Sequence, residues 1–187
     1  MGVMFDYFAA PSDEAAAATI DRVGGPGSQT AVAAAPVAPV QEKRGLFMRK
    51  RSEPAPQTPP FINDETLVVF DTLSVKGIDP LVQLGTLEEL LTGRPYDDVV
   101  EDERSGKDLA SRNGGECLVL TITDTLCAGL AAASDEQLAE VAVPWSQTEE
   151  FWGQGDPTDL TEFLRELAAL ARRADAAGHK LYCWLSV

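Results

Sequence analysis

Histidine is almost missing from this chain: His179 is the only one in 187 residues. Any mechanism pairing a serine or cysteine with an imidazole would have to use it, and no serine or cysteine stands in a recognisable motif with it. Its place between Gly178 and Lys180 suits a turn histidine with no catalytic duty. Cysteine is scarce as well. Cys117, Cys127 and Cys183 are widely separated, show no metal-ligand spacing and lie in apolar segments, so buried free thiols are expected, not a disulfide or a metal site. No apolar run approaches the roughly 20 residues that would cross a bilayer, and the amino terminus shows no basic region followed by a hydrophobic segment. A cytoplasmic protein is expected. The 15 glycines form neither the dinucleotide fingerprint nor the phosphate-binding loop, and no cofactor is expected.

Basic residues are the other shortage. The formal charge is −15, from 30 acidic and 15 basic side chains. Five of the basic residues fall within nine positions, 43–51. With Glu42, Glu53 and those five set aside, 28 acidic residues face 10 basic ones. Such a surface repels phosphate backbones, so nucleic-acid binding by the folded part is not expected. It favours either solubility alone or a basic protein partner.

What is present is best read from the carboxyl-terminal end. Asp156 suits a helix cap and Pro157 the first helical position. Leu160, Phe163, Leu164, Leu167, Leu170, Ala171 and Ala174 then recur at helical spacing. Gly178 ends the helix, and the period falls to two, with Leu181, Cys183, Leu185 and Val187 on one side of a strand. Earlier, Val3 to Phe8 reads as an amino-terminal strand and Ala15 to Val23 as an alanine-rich helix stopping at Gly24 and Gly25. Thr66 to Phe70 reads as a strand. Capping patterns at Asp79–Pro80–Gln83 and at Thr86/Glu89 give two short helical pieces closed by Gly93. Positions 94–115 read as a charged surface loop, and Cys117 to Ile122 as a strand. Ser134 with Gln137, and Ser146 with Glu149, read as capping boxes, and Pro144 as a break.

The result is an α+β domain with a small mixed sheet flanked by helices, and a long carboxyl-terminal helix followed by a final strand. Residues 1–23 supply its first strand and helix, and residues 62–187 the remainder. Between them, 24–61 is rich in Pro, Ala and Gly and reads as a disordered insertion. Inside it, Lys43, Arg44, Leu46, Phe47, Arg49, Lys50 and Arg51 combine two basic clusters with an apolar centre. They suit weak electrostatic docking to an anionic membrane, an acidic protein surface or the protein's own acidic domain, or else a solvated linker.

Chemistry is harder to find. Asp97, Asp98, Glu101, Asp102 and Glu103 lack the spacing and turn glycine of a calcium loop and read as a solvated charge run. Paired acids such as Asp13 and Glu14 sit where first helical turns favour negative charge. The best contact surface is Trp145, Glu149, Glu150, Phe151 and Trp152, where large aromatics adjoin carboxylates. The other reading puts both indoles in the core beneath the long helix.

The Met-Gly start leading into an aromatic strand, the ending Leu90-Leu91-Thr92-Gly93-Arg94-Pro95, and the terminal helix followed by Tyr182-Cys183-Trp184-Leu185 resemble the YfbM-like family of small uncharacterised bacterial proteins. The chain differs from that family at Val82, Gln83, Leu84 and Leu87, where members usually have tryptophan and histidine, and in its insertion. The resemblance implies an α+β fold, no established enzymatic activity, and an occasional association with toxin immunity. The leading expectation is therefore a non-enzymatic, immunity-like acidic domain that binds a basic protein. The alternatives are a small-ligand protein or enzyme with a carboxylate pocket, and a regulator tethered to a membrane or assembly by its basic insertion.

Overall fold

A computed structural model describes residues 3–32 and 61–187. Its centre is a five-stranded sheet of β1 (Met4–Ala10), β4 (Thr72–Lys76), β5 (Asp108–Arg112), β6 (Cys117–Thr121) and β7 (Lys180–Ser186), in the order β4-β1-β7-β6-β5. The α+β class holds, but every neighbouring pair is antiparallel, where a mixed sheet was expected. A separate two-stranded sheet pairs β2 (Thr30–Val32) antiparallel with β3 (Phe61–Asn63). The first and last strands lie side by side, from Met4 opposite Ser186 to Ala10 opposite Lys180. Chain ends that are remote in sequence thus form the middle of the sheet.

Among the described residues six α-helices accompany it: α1 (Asp13–Ala17), α2 (Val82–Thr92), α3 (Tyr96–Val100), α4 (Asp124–Ala132), α5 (Asp135–Ser146) and α6 (Pro157–Ala177). The terminal helix follows its sequence pattern closely. Asp156 Oδ1 accepts from the N–H groups of Thr158 at 2.7 Å and Asp159 at 3.3 Å, filling unpaired donors of the first turn. Gly178 adopts φ 66°, and the His179 N–H returns to the Ala174 carbonyl at 2.8 Å, closing the carboxyl end. Leu160, Phe163, Leu164, Leu167, Leu170, Ala171 and Ala174 are all buried, against the sheet face carrying Phe5, Tyr7, Leu181 and Cys183.

The other sheet face is covered too. Phe8, Ala10, Cys117, Val119, Tyr182 and Trp184 form a second, smaller core under Ala15, Ala16, Ile20 and Phe70. β7 is therefore buried on both sides, where its alternation predicts one buried face, because Tyr182 and Trp184 bring large apolar bodies to the opposite side. The start of the presumed insertion belongs to this cover. The buried Arg22 guanidinium donates to the carbonyls of Pro26 at 2.9 Å and Val68 at 2.6 Å and stacks on Phe70, fixing the chain around 22–31. The boundary at Gly24 was set too early, since β2 begins at Thr30.

Several local expectations are corrected. The strand lies at Thr72–Lys76, not at 66–70, because Val68 and Val69 are exposed and only the later segment pairs with β1. α2 is one helix: Asp79 Oδ1 accepts from Leu81 and Val82, and the Asp79 N–H donates to Gln83 Oε1 at 2.6 Å, but Thr86 sits mid-helix with its hydroxyl oxygen 3.0 Å from the Val82 carbonyl. The loop read at 94–115 contains α3 and the edge strand β5. Ser134 and Gln137 form the expected reciprocal capping box. Ser146 and Glu149 do not; α5 runs through Pro144, and Ser146 donates to the Val143 carbonyl instead.

Candidate functional site

α2 begins with the capped turn at Asp79, and α5 ends beside it at Ser146. What joins them is Trp145, whose fully buried indole Nε1 donates to the Gln83 carbonyl at 2.9 Å. Phe151 meets that indole edge-on, with ring centroids 5.0 Å apart, so the turn Glu149–Phe151 is pinned against the helix. The next residue cannot follow it inward. Trp152 takes φ 53°, a left-handed conformation that costs a bulky residue about 1–2 kcal/mol, and its side chain turns to solvent at 88% exposure. Beyond it Gly155 lies so close to Ser146 that a Cβ would stand 2.6 Å from the Ser146 carbonyl oxygen.

This arrangement opens a groove of about 930 Å³ between the start of α2 and residues 147–153. Asp79, Val82, Gln83, Glu149, Glu150 and Trp152 are among its walls, and among the described residues no lysine or arginine is. Glu150 accepts from the Thr86 hydroxyl at 3.1 Å, and hydrogen bonds from Thr148 and Thr86 hold its carboxyl below the usual range, so it stays charged. Among the described residues, Asp79, Glu149 and Glu150 form no ion pair. The five residues singled out as a contact surface are thus brought together but divided in role. Glu149, Glu150 and Trp152 line the groove, Phe151 is half-buried, and Trp145 is the internal peg. Asp79, Val82, Gln83 and Thr86 were missed as site residues: their sequence signal is a helix start, and nothing local links it to a segment some 65 positions away. Lys43, Arg44, Leu46, Phe47, Arg49, Lys50 and Arg51 lie outside the described residues.

The carboxylates elsewhere are more often neutralised. Arg94 joins buried Glu88 at 3.0 Å and Asp102 at 2.9 Å, while Thr123 donates to the other Glu88 oxygen. Asp102, which the sequence placed in a solvated charge run, is therefore partly internal. Arg104 contacts Asp13 at 2.9 Å and Asp124 at 3.2 Å, Lys180 meets Asp124, and Tyr182 donates to Asp13 at 2.8 Å.

A second cleft, of about 300 Å³, brings Cys127 and His179 together with Asp124, Asp175 and Lys180. Here a cysteine and the histidine, scarce residues of nucleophilic chemistry, share a wall. Burial pushes the Cys127 thiol up to about 12, so it is protonated at neutral pH and unsuited to attack. Among the described residues no group of three or more His, Cys, Asp or Glu side chains is placed to hold a metal ion, and no helix is long and apolar enough to cross a membrane. Comparison of the chain with protein-family models, with curated proteins and with solved structures finds no match.

Proposed function

We propose that the protein is a non-enzymatic interaction domain that receives a basic protein partner in the groove beside Trp152. The observation that carries this reading is the indole itself, held outward by a strained backbone while both neighbouring aromatics, Trp145 and Phe151, are used internally. Backbone strain clusters at contact sites, and an exposed tryptophan beside carboxylates that form no ion pair among the described residues suits a cationic surface. The YfbM-like resemblance, an immunity-like role and a cytoplasmic location belong to the same proposal.

Affinity capture with the full chain tests it. Basic proteins are expected to be retained at low salt, released near about 0.5 M salt, where the screening length falls to a few ångströms, and lost with Trp152→Ala. A retained set that the substitution leaves unchanged sinks the proposal. A second reading rests on the groove's size, which falls in the range of small-ligand sites. A metabolite that raises the melting temperature of the wild-type chain but not of Glu150→Gln would favour it. Tethering by residues 43–51 is a separate proposal, tested by whether their deletion shifts localisation while leaving the melting temperature unchanged.

A further inference from the structure

Resting on the basic-partner reading, we infer that the groove is an arginine-recognition site, in which the partner's guanidinium stacks on the Trp152 indole beside Glu149 and Glu150. The indole is presented from a fixed position, not from a loose tip. The Trp152 N–H donates to the Glu149 carbonyl at 2.9 Å, the Gln154 N–H donates to the Phe151 carbonyl at 2.8 Å, and Phe151 is held against Trp145. A preset aromatic face loses little entropy on binding. Its ring is open on a wall whose charges, among the described residues, are all carboxylates, and a cation over an indole face is the pairing such a ring favours.

Charge complementarity inside the molecule supports the same occupant. The arginines among the described residues are engaged elsewhere: Arg94, Arg104, Arg112, Arg165 and Arg173 lie against carboxylates. Arg22 and Arg172 donate to backbone carbonyls. The three groove carboxylates receive nothing comparable among the described residues. Glu150 Oε2 makes no geometric hydrogen bond among the described residues, so the charge acts through space on whatever enters. Arginine fits better than lysine because its planar, weakly hydrated guanidinium stacks on the ring while its edge donates to carboxylates, and its methylene stem can lie along Val82.

Calorimetric titration of the full chain with two peptides that differ only in carrying arginine or lysine tests this inference. The arginine peptide is expected to bind about five-fold more tightly, and Trp152→Ala is expected to erase that preference. Glu149→Gln should weaken both peptides. Equal affinities for the two peptides would overturn the arginine inference while leaving a basic partner in place. No binding of either peptide at low salt would overturn both. An arginine preference that survives Trp152→Ala would place recognition elsewhere and overturn the site. Concentration-dependent self-association abolished by the same substitution would show a second copy, not an arginine segment, to be the occupant.

Discussion

Trp152 allows its contribution to stability to be separated from its contribution to binding. A left-handed backbone costs glycine nothing extra and tryptophan about 1–2 kcal/mol, while glycine gives back some of that through a freer unfolded chain. Trp152→Gly is therefore expected to melt no lower than the wild type, or up to about 1 kcal/mol more stably, while losing partner capture. A large drop in melting temperature would show the indole to be structural. Asp6 provides a second case. It is buried on β1 with its carboxyl raised by desolvation, and Gly25, at φ 81°, sits so close that a Cβ would strike the Asp6 carboxylate. A raised carboxyl destabilises the fold wherever the unfolded chain is ionised and the native one resists it. Stability from this group is thus fullest below its unfolded value near 3.9 and falls as pH rises. Asp6→Asn should melt higher than the wild type at pH 7, with the difference shrinking as pH falls toward 4. At the alkaline end Tyr182, pushed up to about 12 by desolvation and then by its bond to Asp13, favours the fold below its unfolded value near 10. That contribution fades as pH rises toward about 12. Tyr182→Phe should flatten the loss of melting temperature between pH 9 and 11. None of these environments shows in the sequence, where Asp6 is one charge among strand formers and Tyr182 one side of an alternating run.

At the scale of elements, the legible parts are those whose signals are local. The stripe from Leu160 to Ala174, the Asp156 cap, the Gly178 stop and the Ser134/Gln137 box depend on residues within a few positions, and all four are present. The strand mistaken at 66–70 failed because Val68 and Val69 have the right composition but no neighbouring strand, whereas Thr72–Lys76 has β1. Burial of both faces of β7 was hidden because its second cover includes Ala15, Ala16, Ile20 and Phe70, far from β7 in the chain. The groove was half legible. Aromatics beside acids marked 145–152, but only the fold decides that Trp145 points in and Trp152 out. Gly155 makes this division testable. A methyl group there would collide with the Ser146 carbonyl and crowd Phe151 at 3.2 Å. Gly155→Ala should therefore destabilise by about 1–3 kcal/mol, the usual range for overpacking, and weaken binding because the turn carrying Trp152 must shift. Trp145→Ala, which removes the peg, should cost about 3–5 kcal/mol. Chemical denaturation of both variants ranks the two effects, and an unperturbed Gly155→Ala would mean that the turn is not fixed by this contact.

Over the whole molecule, the same surplus of carboxylates acts on folding and on binding with opposite sign. With 28 acidic and 10 basic residues outside the 43–51 cluster and its two acidic neighbours, like charges dominate the exterior. Among the described residues, six of the ten cations lie in ion pairs, of which Arg94 with Glu88 and Arg104 with Asp13 are partly buried. Self-repulsion of that exterior opposes the compact state, and added salt relieves it, since the screening length shortens from about 30 Å at 0.01 M to about 10 Å at 0.1 M. The partly buried pairs are screened less, so the repulsive term is the one that responds. The melting temperature is thus expected to rise with sodium chloride over this interval, while affinity for a cationic partner falls over the same interval. Thermal melts and binding titrations at matched salt concentrations check both slopes. A melting temperature that fell with salt would mean that the internal ion pairs outweigh the surface repulsion, and would remove the physical ground for treating the acidic exterior as an attractor held ready for a partner.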